Sequence, residues 1–193
     1  MNSICVYCGS SGKTDPTFKN AAYEMGAVLA DRGIHLVYGA GSTGLMGAVA
    51  NGALENGGDV VGVIPEIFNT PTLAHKGLTR LEIVPDMHQR KARMAELSDA
   101  FIALPGGFGT LEELFEILTW AQLGLHGKPC GLLDVGGYFE RLLAFLDHAV
   151  SEDFLRNEHR SILNYAEDAD SLLAAFARHR AVPAKKWIDR ETS

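Results

Sequence analysis

Three apolar runs in this sequence each end in a glycine-rich turn, and each turn opens a helical pattern. The runs, each with its turn, are Ser3 to Cys8 with Gly9-Ser10-Ser11, His35 to Tyr38 with Gly39 to Gly44, and Ala100 to Leu104 with Gly106 to Gly109. Strands that are apolar almost throughout are buried on both faces, as in a parallel sheet covered by helices. Because the carboxyl ends of parallel strands share one edge, we expect the three turns to converge on a ligand site.

The rest of the chain continues this alternation of strands and helices. We expect helices at about 16–31, 45–56, 86–97, 110–123, 138–150 and 168–179, and further strands at about 60–64, 80–84 and 130–133. Residues 65–77 contain prolines and show no clear period, which predicts a long loop or flap of the kind that is often functional. The predicted fold class is α/β, a single Rossmann-like, doubly wound and mainly parallel sheet flanked by helices. It occupies residues 1–180, and a polar C-terminal tail occupies residues 181–193.

Composition restricts the partners and the location. The formal net charge is −7 and the longest basic cluster is Gln89 to Arg93, so a nucleic-acid surface is not expected. No apolar run reaches the roughly 18 residues of a membrane span. The N-terminus lacks the basic start and long apolar stretch of a signal peptide. Three cysteines give no even disulfide framework. We therefore expect a cytoplasmic protein with a small-molecule ligand.

The turn at 105–110 has the features of a phosphate cradle. Gly106, Gly107 and Gly109 permit close backbone approach, and the following helix directs its N–H groups and its positive dipole end at one point. Thr110 can cap the helix or bond a phosphate oxygen. The turn lacks the Gly-Lys-Ser/Thr ending of a P-loop. Without a lysine or metal to neutralise a triphosphate, a monophosphate fits the turn better.

Two charged residues stand at unusual places on the predicted helices. Arg90 interrupts an apolar stripe formed by Met87, Met94 and Leu97, and a guanidinium on such a face needs a carboxylate or phosphate partner. Glu113 borders the apolar side of the next helix. The pair is either a structural salt bridge or part of the site. Lys91 turns away from the stripe but can reach a phosphate.

Other motifs are weaker. The turn from Gly39 to Gly44 matches the dinucleotide pattern G-x-G-x-x-G, but on the second strand instead of the usual first, and Glu66 fits poorly as a ribose-binding acid. The alternatives to a dinucleotide site are that this turn contacts a phosphate or ribose, or that its glycines only permit tight packing. Cys5 and Cys8 form a C-x-x-C without further cysteines or histidines at zinc spacing, so no metal site is predicted.

The glycine turn and the arginine helix together resemble the motifs of a known family. Residues 105–113 read P-G-G-F-G-T-L-E-E, which matches P-G-G-x-G-T-x-x-E, and residues 87–94 read M-H-Q-R-K-A-R-M. With the segments 6–11, 38–47 and 118–124, they make the chain similar to the LONELY GUY family of cytokinin riboside 5′-monophosphate phosphoribohydrolases. The resemblance covers about residues 3 to 150.

The resemblance implies hydrolysis of the N-glycosidic bond in a plain or N6-substituted adenosine 5′-monophosphate, which gives the free base and ribose 5-phosphate. It implies a homodimer with its site near the subunit interface, and it makes Arg90 and Glu113 the catalytic pair. Its substrate-binding residues here are Lys91, Gly106, Gly107, Phe108, Gly109, Thr110, Leu111, Glu112 and Thr119. The expected convergence of the other glycine turns adds Gly9, Ser10, Gly41 and Ser42 to the substrate-binding residues.

Two positions depart from the family pattern. The family usually has three successive glycines where this chain has Gly39-Ala40-Gly41, and the extra methyl is tolerated if the φ angle of Ala40 is negative. Plant members carry a substrate-contacting glutamate near the position of Thr72. Because this chain lacks that glutamate, its preferred base is open, and adenine itself is an alternative to an N6-substituted adenine.

The implied chemistry agrees with the residues. Glycosidic cleavage develops positive charge on the ribose, which an ionised Glu113 would stabilise while it orients or deprotonates water. We expect Arg90 to lower the pKa of Glu113. No metal or cofactor is needed. A non-catalytic carrier of a nucleotide or of molybdenum cofactor is the second hypothesis, and an NAD-dependent oxidoreductase is the third.

Overall fold

The structure, a computed structural model, describes residues 1–181. Strands and helices alternate along these residues. They are β1 (Ser3–Tyr7), α1 (Pro16–Asp31), β2 (His35–Tyr38), α2 (Gly44–Glu55), β3 (Val60–Pro65), β4 (Arg80–Val84), α3 (Met87–Glu96), β5 (Ala100–Ala103), α4 (Phe108–Gln122), β6 (Cys130–Leu133), α5 (Glu140–Ser151), α6 (Asn157–Arg160), β7 (Leu163–Ala166) and α7 (Ala169–Ala177). The predicted tail lies outside the described residues, apart from Ala181.

All seven strands of the described chain form one sheet, in the order β4-β3-β2-β1-β5-β6-β7, and every pairing is parallel. The order runs one way from β1 to β4 and the other way from β5 to β7, so it reverses between β1 and β5. The predicted doubly wound α/β fold is confirmed. The reversal places the ends of β1 and β5 side by side.

Strand residues alternate between two separate cores. Ile4 and Val6 of β1 face the helices α1, α2 and α7 on one side of the sheet. Cys5 and Tyr7 face α3, α4 and α5 on the other side. Successive side chains of a strand point to opposite faces, and both faces are covered here. This explains the continuous apolar runs, and it fixes the strand ends rigidly.

The expected elements are confirmed within a few residues. The short elements α6 and β7 were not predicted, because β7 is an edge strand of four residues in which Tyr165 is exposed. Helix α5 begins at Glu140 and not near Tyr138, since Val135–Gly137 forms a 3₁₀ turn in which Gly136 is left-handed, with φ 59°. No helix in residues 1–181 has the length and apolar character needed to cross a membrane.

Candidate active site

A cavity of about 560 Å³ opens at the carboxyl edge of the sheet. It lies where β1 and β5 end side by side, at the reversal of strand order. Its walls come from the turns after β1, β2 and β5, from one side of α3, and from the start of α4. Ligands of doubly wound sheets bind at such a point.

Hydrogen bonds hold the three glycine-rich turns together. The Gly9 N–H donates to the Pro105 carbonyl at 3.0 Å, and the Gly9 carbonyl accepts from the Leu45 N–H at 2.9 Å. The Thr43 hydroxyl donates to the Ser10 carbonyl at 2.9 Å. The predicted convergence of these turns is therefore confirmed. The first turn is the link that ties the second to the third.

The start of α4 presents free backbone donors. Gly107 occupies the N-cap position and has no side chain to cap the helix. Within residues 1–181 the N–H groups of Gly107, Phe108, Gly109 and Thr110 have no hydrogen-bond partner. These four residues line the cavity. Unpaired N–H groups at the positive end of a helix dipole form an anion site.

Arg90 and Glu113 meet on the floor of the cavity. The Arg90 Nη2 atom lies 3.3 Å from Glu113 Oε1, and the two side chains are only 14% and 10% exposed. Helix α3 supplies the arginine and α4 the glutamate, so the pairing expected from the apolar stripes is confirmed. Within the described residues, Arg90 Nε and Glu113 Oε1 lack hydrogen-bond partners. Buried polar atoms normally have partners, so these two atoms are available to a ligand.

Gly39 leaves the space that the guanidinium occupies. A Cβ atom on Gly39 would lie 1.8 Å from Arg90 Nη2. Any larger residue at this position would displace the arginine from its place beside Glu113. The turn after β2 thus contributes to the site by its lack of a side chain.

Burial raises the pKa of Glu113 to about 7, although the nearby Arg90 acts to lower it. The negative charge of Glu112 adds to the increase. Arg90 does lower the pKa of Glu113, as expected, but the net pKa is still above its ordinary value, because loss of hydration outweighs the attraction of the guanidinium. A carboxyl group with a pKa near 7 is suited to proton transfer at neutral pH.

Lys91 is engaged by two carboxylates of α4. Its ammonium contacts Glu112 and lies 3.0 Å from Glu116, and its side chain is 10% exposed. Burial alone would lower the pKa of Lys91, but the hydrogen bonds that its ammonium donates to Glu112 and Glu116 outweigh burial and raise that pKa. Lys91 lies outside the cavity lining and braces the first turns of α4 against α3.

The cavity brings together most of the predicted site residues. Those that line it are Arg90, Glu113, Gly106, Gly107, Phe108, Gly109, Thr110, Glu112, Gly9 and Ser10. The Phe108 side chain is 95% exposed at the mouth of the cavity. Lys91, Leu111, Thr119, Gly41 and Ser42 are not among the lining residues.

The flap and the helical periodicity explain these other positions. Gly41 bridges to Ala74 of the flap, and the Ser42 N–H donates to the Leu73 carbonyl at 3.0 Å, so both face the flap. Thr119 lies almost three turns along α4, where its hydroxyl donates to the Phe115 carbonyl at 2.6 Å. Leu111 packs against the core on the α3 side of the sheet.

Sequence reasoning missed further lining residues, among them four large side chains that come from other elements. Phe18 comes from α1, Met46 from α2, Met87 from α3 and Tyr138 from the turn after β6. The signal for Tyr138 was present, because Gly136-Gly137 follows an apolar strand as the other glycine turns do. Phe18 and Met46 lie within predicted helices and carried no comparable signal.

Ala40 adopts a backbone conformation that is unusual for alanine. Its φ angle is +61° and its side chain is fully buried. The condition of a negative φ at this position is therefore not met. The surrounding contacts hold the left-handed conformation, among them the hydrogen bond from the His75 N–H to the Ala40 carbonyl at 2.9 Å.

Comparison with known families gives one matching family model, described as a possible lysine decarboxylase, over residues 46–176. A decarboxylase that uses pyridoxal phosphate holds this cofactor through a lysine. No lysine within the described residues lines the cavity. The site therefore argues against the activity in that description.

Similar proteins and solved structures complete the comparison. A cytokinin riboside 5′-monophosphate phosphoribohydrolase of Arabidopsis thaliana is 49% identical over 97% of this chain and 90% of its own length. The enzyme of that name from Rhodococcoides fascians is 51% identical over 90% of this chain and 88% of its own. The molybdenum cofactor binding protein of Rippkaea orientalis has the same fold, with a TM-score of 0.71 over 92% of this chain and 96% of its own, at 21% identity. The chain belongs to the LONELY GUY family of cytokinin riboside 5′-monophosphate phosphoribohydrolases.

Proposed function

We propose that this protein hydrolyses the N-glycosidic bond of a plain or N6-substituted adenosine 5′-monophosphate to the free base and ribose 5-phosphate. The observation that carries the proposal is the position of the Arg90–Glu113 pair, 3.3 Å apart, in the same cavity as the free N–H groups of α4. Phosphate binding alone needs only the N–H groups. The buried carboxylate beside them supplies the chemistry.

Each part of the site has a role in this reaction. The N–H groups from Gly107 to Thr110 bind the 5′-phosphate. Ionised Glu113 stabilises the positive charge that develops on the ribose, and it accepts a proton from the water that attacks C1′. The bond between water oxygen and C1′ forms as the bond between C1′ and the base nitrogen breaks, and the proton that Glu113 accepts is passed on to the departing base, so that Glu113 ends the cycle ionised. Arg90 orients Glu113 and donates to the ribose hydroxyls or the base. None of these steps requires a metal or a cofactor.

Base release tests the proposal directly. Purified protein is incubated with AMP, with isopentenyladenosine monophosphate, and with the two corresponding nucleosides. We expect release of base from at least one monophosphate and from neither nucleoside, since the phosphate holds the substrate. Release of the larger base would identify a cytokinin-producing enzyme, and release of adenine alone would favour the AMP alternative that Thr72 leaves open.

A non-catalytic carrier of a nucleotide or of molybdenum cofactor is the competing hypothesis. The solved structures below 25% identity share only the fold with this chain. A carrier needs the phosphate site but has no use for a buried Arg90–Glu113 pair. Absence of base release from every monophosphate, together with a cofactor that copurifies with the protein, would support the carrier.

We also propose a homodimer that forms through α4. Phe115, Thr119 and Leu123 follow one another at intervals of four residues on the exposed side of this helix, and Leu123 is 57% exposed. A second copy on this stripe would lie close to the cavity, because α4 begins there. In this arrangement Thr119 reaches the nucleotide site of the partner. The net charge of −7 and the three free, buried cysteines support a cytoplasmic protein without a nucleic-acid partner.

Light scattering after size exclusion tests the dimer. We expect twice the mass of one chain for the wild type, and a monomer for the double variant Phe115→Glu and Leu123→Glu. The control is Ile83→Glu, since Ile83 is 53% exposed and lies on β4, the edge strand at the far end of the sheet from β5 and β6. A monomeric wild type at about 10 μM, a concentration at which interfaces of ordinary affinity are formed, would contradict the proposal.

A further inference from the structure

The turn after β6 is built to project Tyr138 towards the glycine turn of the neighbouring strand β5. Gly136 and Gly137 are both left-handed, with φ angles of 59° and 71°. The Asp134 carboxylate accepts the Phe139 N–H at 2.7 Å and closes the turn. Left-handed conformations at two successive residues are readily accessible to glycine. The turn therefore fixes the direction of Tyr138 before α5 begins.

The side chain of Tyr138 is held at both its ring and its hydroxyl. The ring packs edge-on against Phe18 of α1, with centroids 5.7 Å apart, and against Phe139, with centroids 5.0 Å apart. The hydroxyl donates to the Gly106 carbonyl at 2.7 Å. Tyr138 is 45% exposed, so burial alone does not fix it. These contacts link α1, the turn after β6, and the glycine turn at residues 105–110.

The peptide between Gly106 and Gly107 needs such a support. A peptide flanked by two glycines rotates more freely than others, because neither residue has a Cβ atom to restrict its dihedral angles. The peptide is planar and trans, so the Gly106 carbonyl and the Gly107 N–H point in opposite directions. The hydrogen bond from Tyr138 fixes the carbonyl and with it the N–H. If this peptide rotated, the Gly106 carbonyl oxygen would face the bound anion in place of the Gly107 N–H.

We infer that Tyr138 is a positioning residue for phosphate recognition, which acts through the Gly106–Gly107 peptide. This inference rests on the proposed function, because it assigns the 5′-phosphate to the start of α4. The hydroxyl does not take part in the bond cleavage. It selects for phosphate-bearing ligands by holding the N–H groups in place.

The test compares Tyr138→Phe with wild type. The variant keeps the ring and loses only the hydroxyl. We expect KM for the monophosphate substrate to rise about 5- to 10-fold, as for the loss of one hydrogen bond, while kcat changes less than about 3-fold. Affinity for ribose 5-phosphate should fall by the same factor, and affinity for adenine should stay unchanged. Tyr165→Phe is the control, since Tyr165 lies on the edge strand β7 away from the cavity.

Three outcomes overturn the inference. These are an affinity of Tyr138→Phe for ribose 5-phosphate equal to that of wild type, an equal loss of affinity for adenine and for ribose 5-phosphate, and a decrease in kcat alone. If the variant does not fold, Phe18→Leu provides the second test, because it keeps the hydroxyl and removes a ring contact. It should weaken ribose 5-phosphate about 2- to 3-fold and leave adenine unaffected. A wild type that releases no base would count against the proposed function, whereas equal ribose 5-phosphate affinities would count against the role of Tyr138 alone.

Discussion

Arg90 Nη2 lies 3.3 Å from Glu113 Oε1, yet within the described residues Glu113 Oε1 makes no hydrogen bond, and neither does Arg90 Nε. The pair is close enough for attraction and is not saturated. A structural salt bridge buried to this extent normally uses its donors and acceptors fully. The incomplete pairing is what a site needs if its substrate supplies the missing partners.

Replacing Glu113 by glutamine should stop turnover and spare binding. Glutamine has nearly the same shape but can neither accept the proton nor stabilise positive charge on the ribose. We expect kcat to fall about 10³-fold, with the affinity for ribose 5-phosphate within about 3-fold of wild type. Base-release kinetics and calorimetric titration give the two values. Glu24→Gln on the exposed side of α1 is the control, and a Glu113→Gln enzyme with near wild-type kcat would refute the assignment.

The pH profile should respond in opposite directions to two charge changes near Glu113. Since Glu113 must be ionised and its pKa is about 7, kcat/KM should fall as the pH decreases below 7. The charge of Glu112 raises the pKa of Glu113 and that of Lys91 lowers it. Glu112→Gln should therefore move the acid limb to lower pH, and Lys91→Met should move it to higher pH. Shifts in the same direction, or none, would show that another group controls the limb.

Gly39→Ala should impair activity without preventing folding. The new Cβ atom meets only the ends of two flexible side chains, Arg90 and Met46, so the backbone can remain in place. Displacement of the guanidinium by about 1 Å should lower kcat/KM about 10²-fold. Gly12→Ala, with no atom within 4 Å of its Cβ, should retain full activity. Thermal unfolding of both variants checks the fold, and an active Gly39→Ala enzyme would mean that the position of Arg90 is not critical.

Ala40→Val should destabilise the protein. A β-branched side chain is strongly disfavoured at φ +61°, and the site is fully buried against Gly62. We expect a loss of about 2 kcal/mol, which corresponds to about 4–8 °C in Tm for a chain of this size. Ala40→Gly should stay within about 1 kcal/mol of wild type, since relief of the left-handed conformation offsets the lost methyl. Equal Tm values for the valine and glycine variants would refute the prediction of strain.

What could be predicted from the sequence depended on local patterns. The Arg90–Glu113 pair followed from two helical stripes and a glycine turn, each of which is visible over a few residues. The placement of Lys91 did not follow, because it depends on Glu112 and Glu116 of a different helix. The raised pKa of Glu113 depends on burial by the complete fold. The left-handed Ala40 is set by tertiary contacts that override the preference of alanine.

The place of β1 in the sheet has a consequence for how the protein folds. The first strand of the chain pairs with β2 on one edge and with β5 on the other, and Ile4 lies opposite Ala100. During synthesis, β1 to β4 can associate before β5 is made. One edge of β1 must stay unpaired until β5 emerges, which is more than 90 residues after β1 in the chain. Long-range parallel pairing is slow, and an open strand edge invites association with other chains. We expect the pairing of β1 with β5, which creates the active site, to form late in folding, and we expect aggregation to occur before it forms.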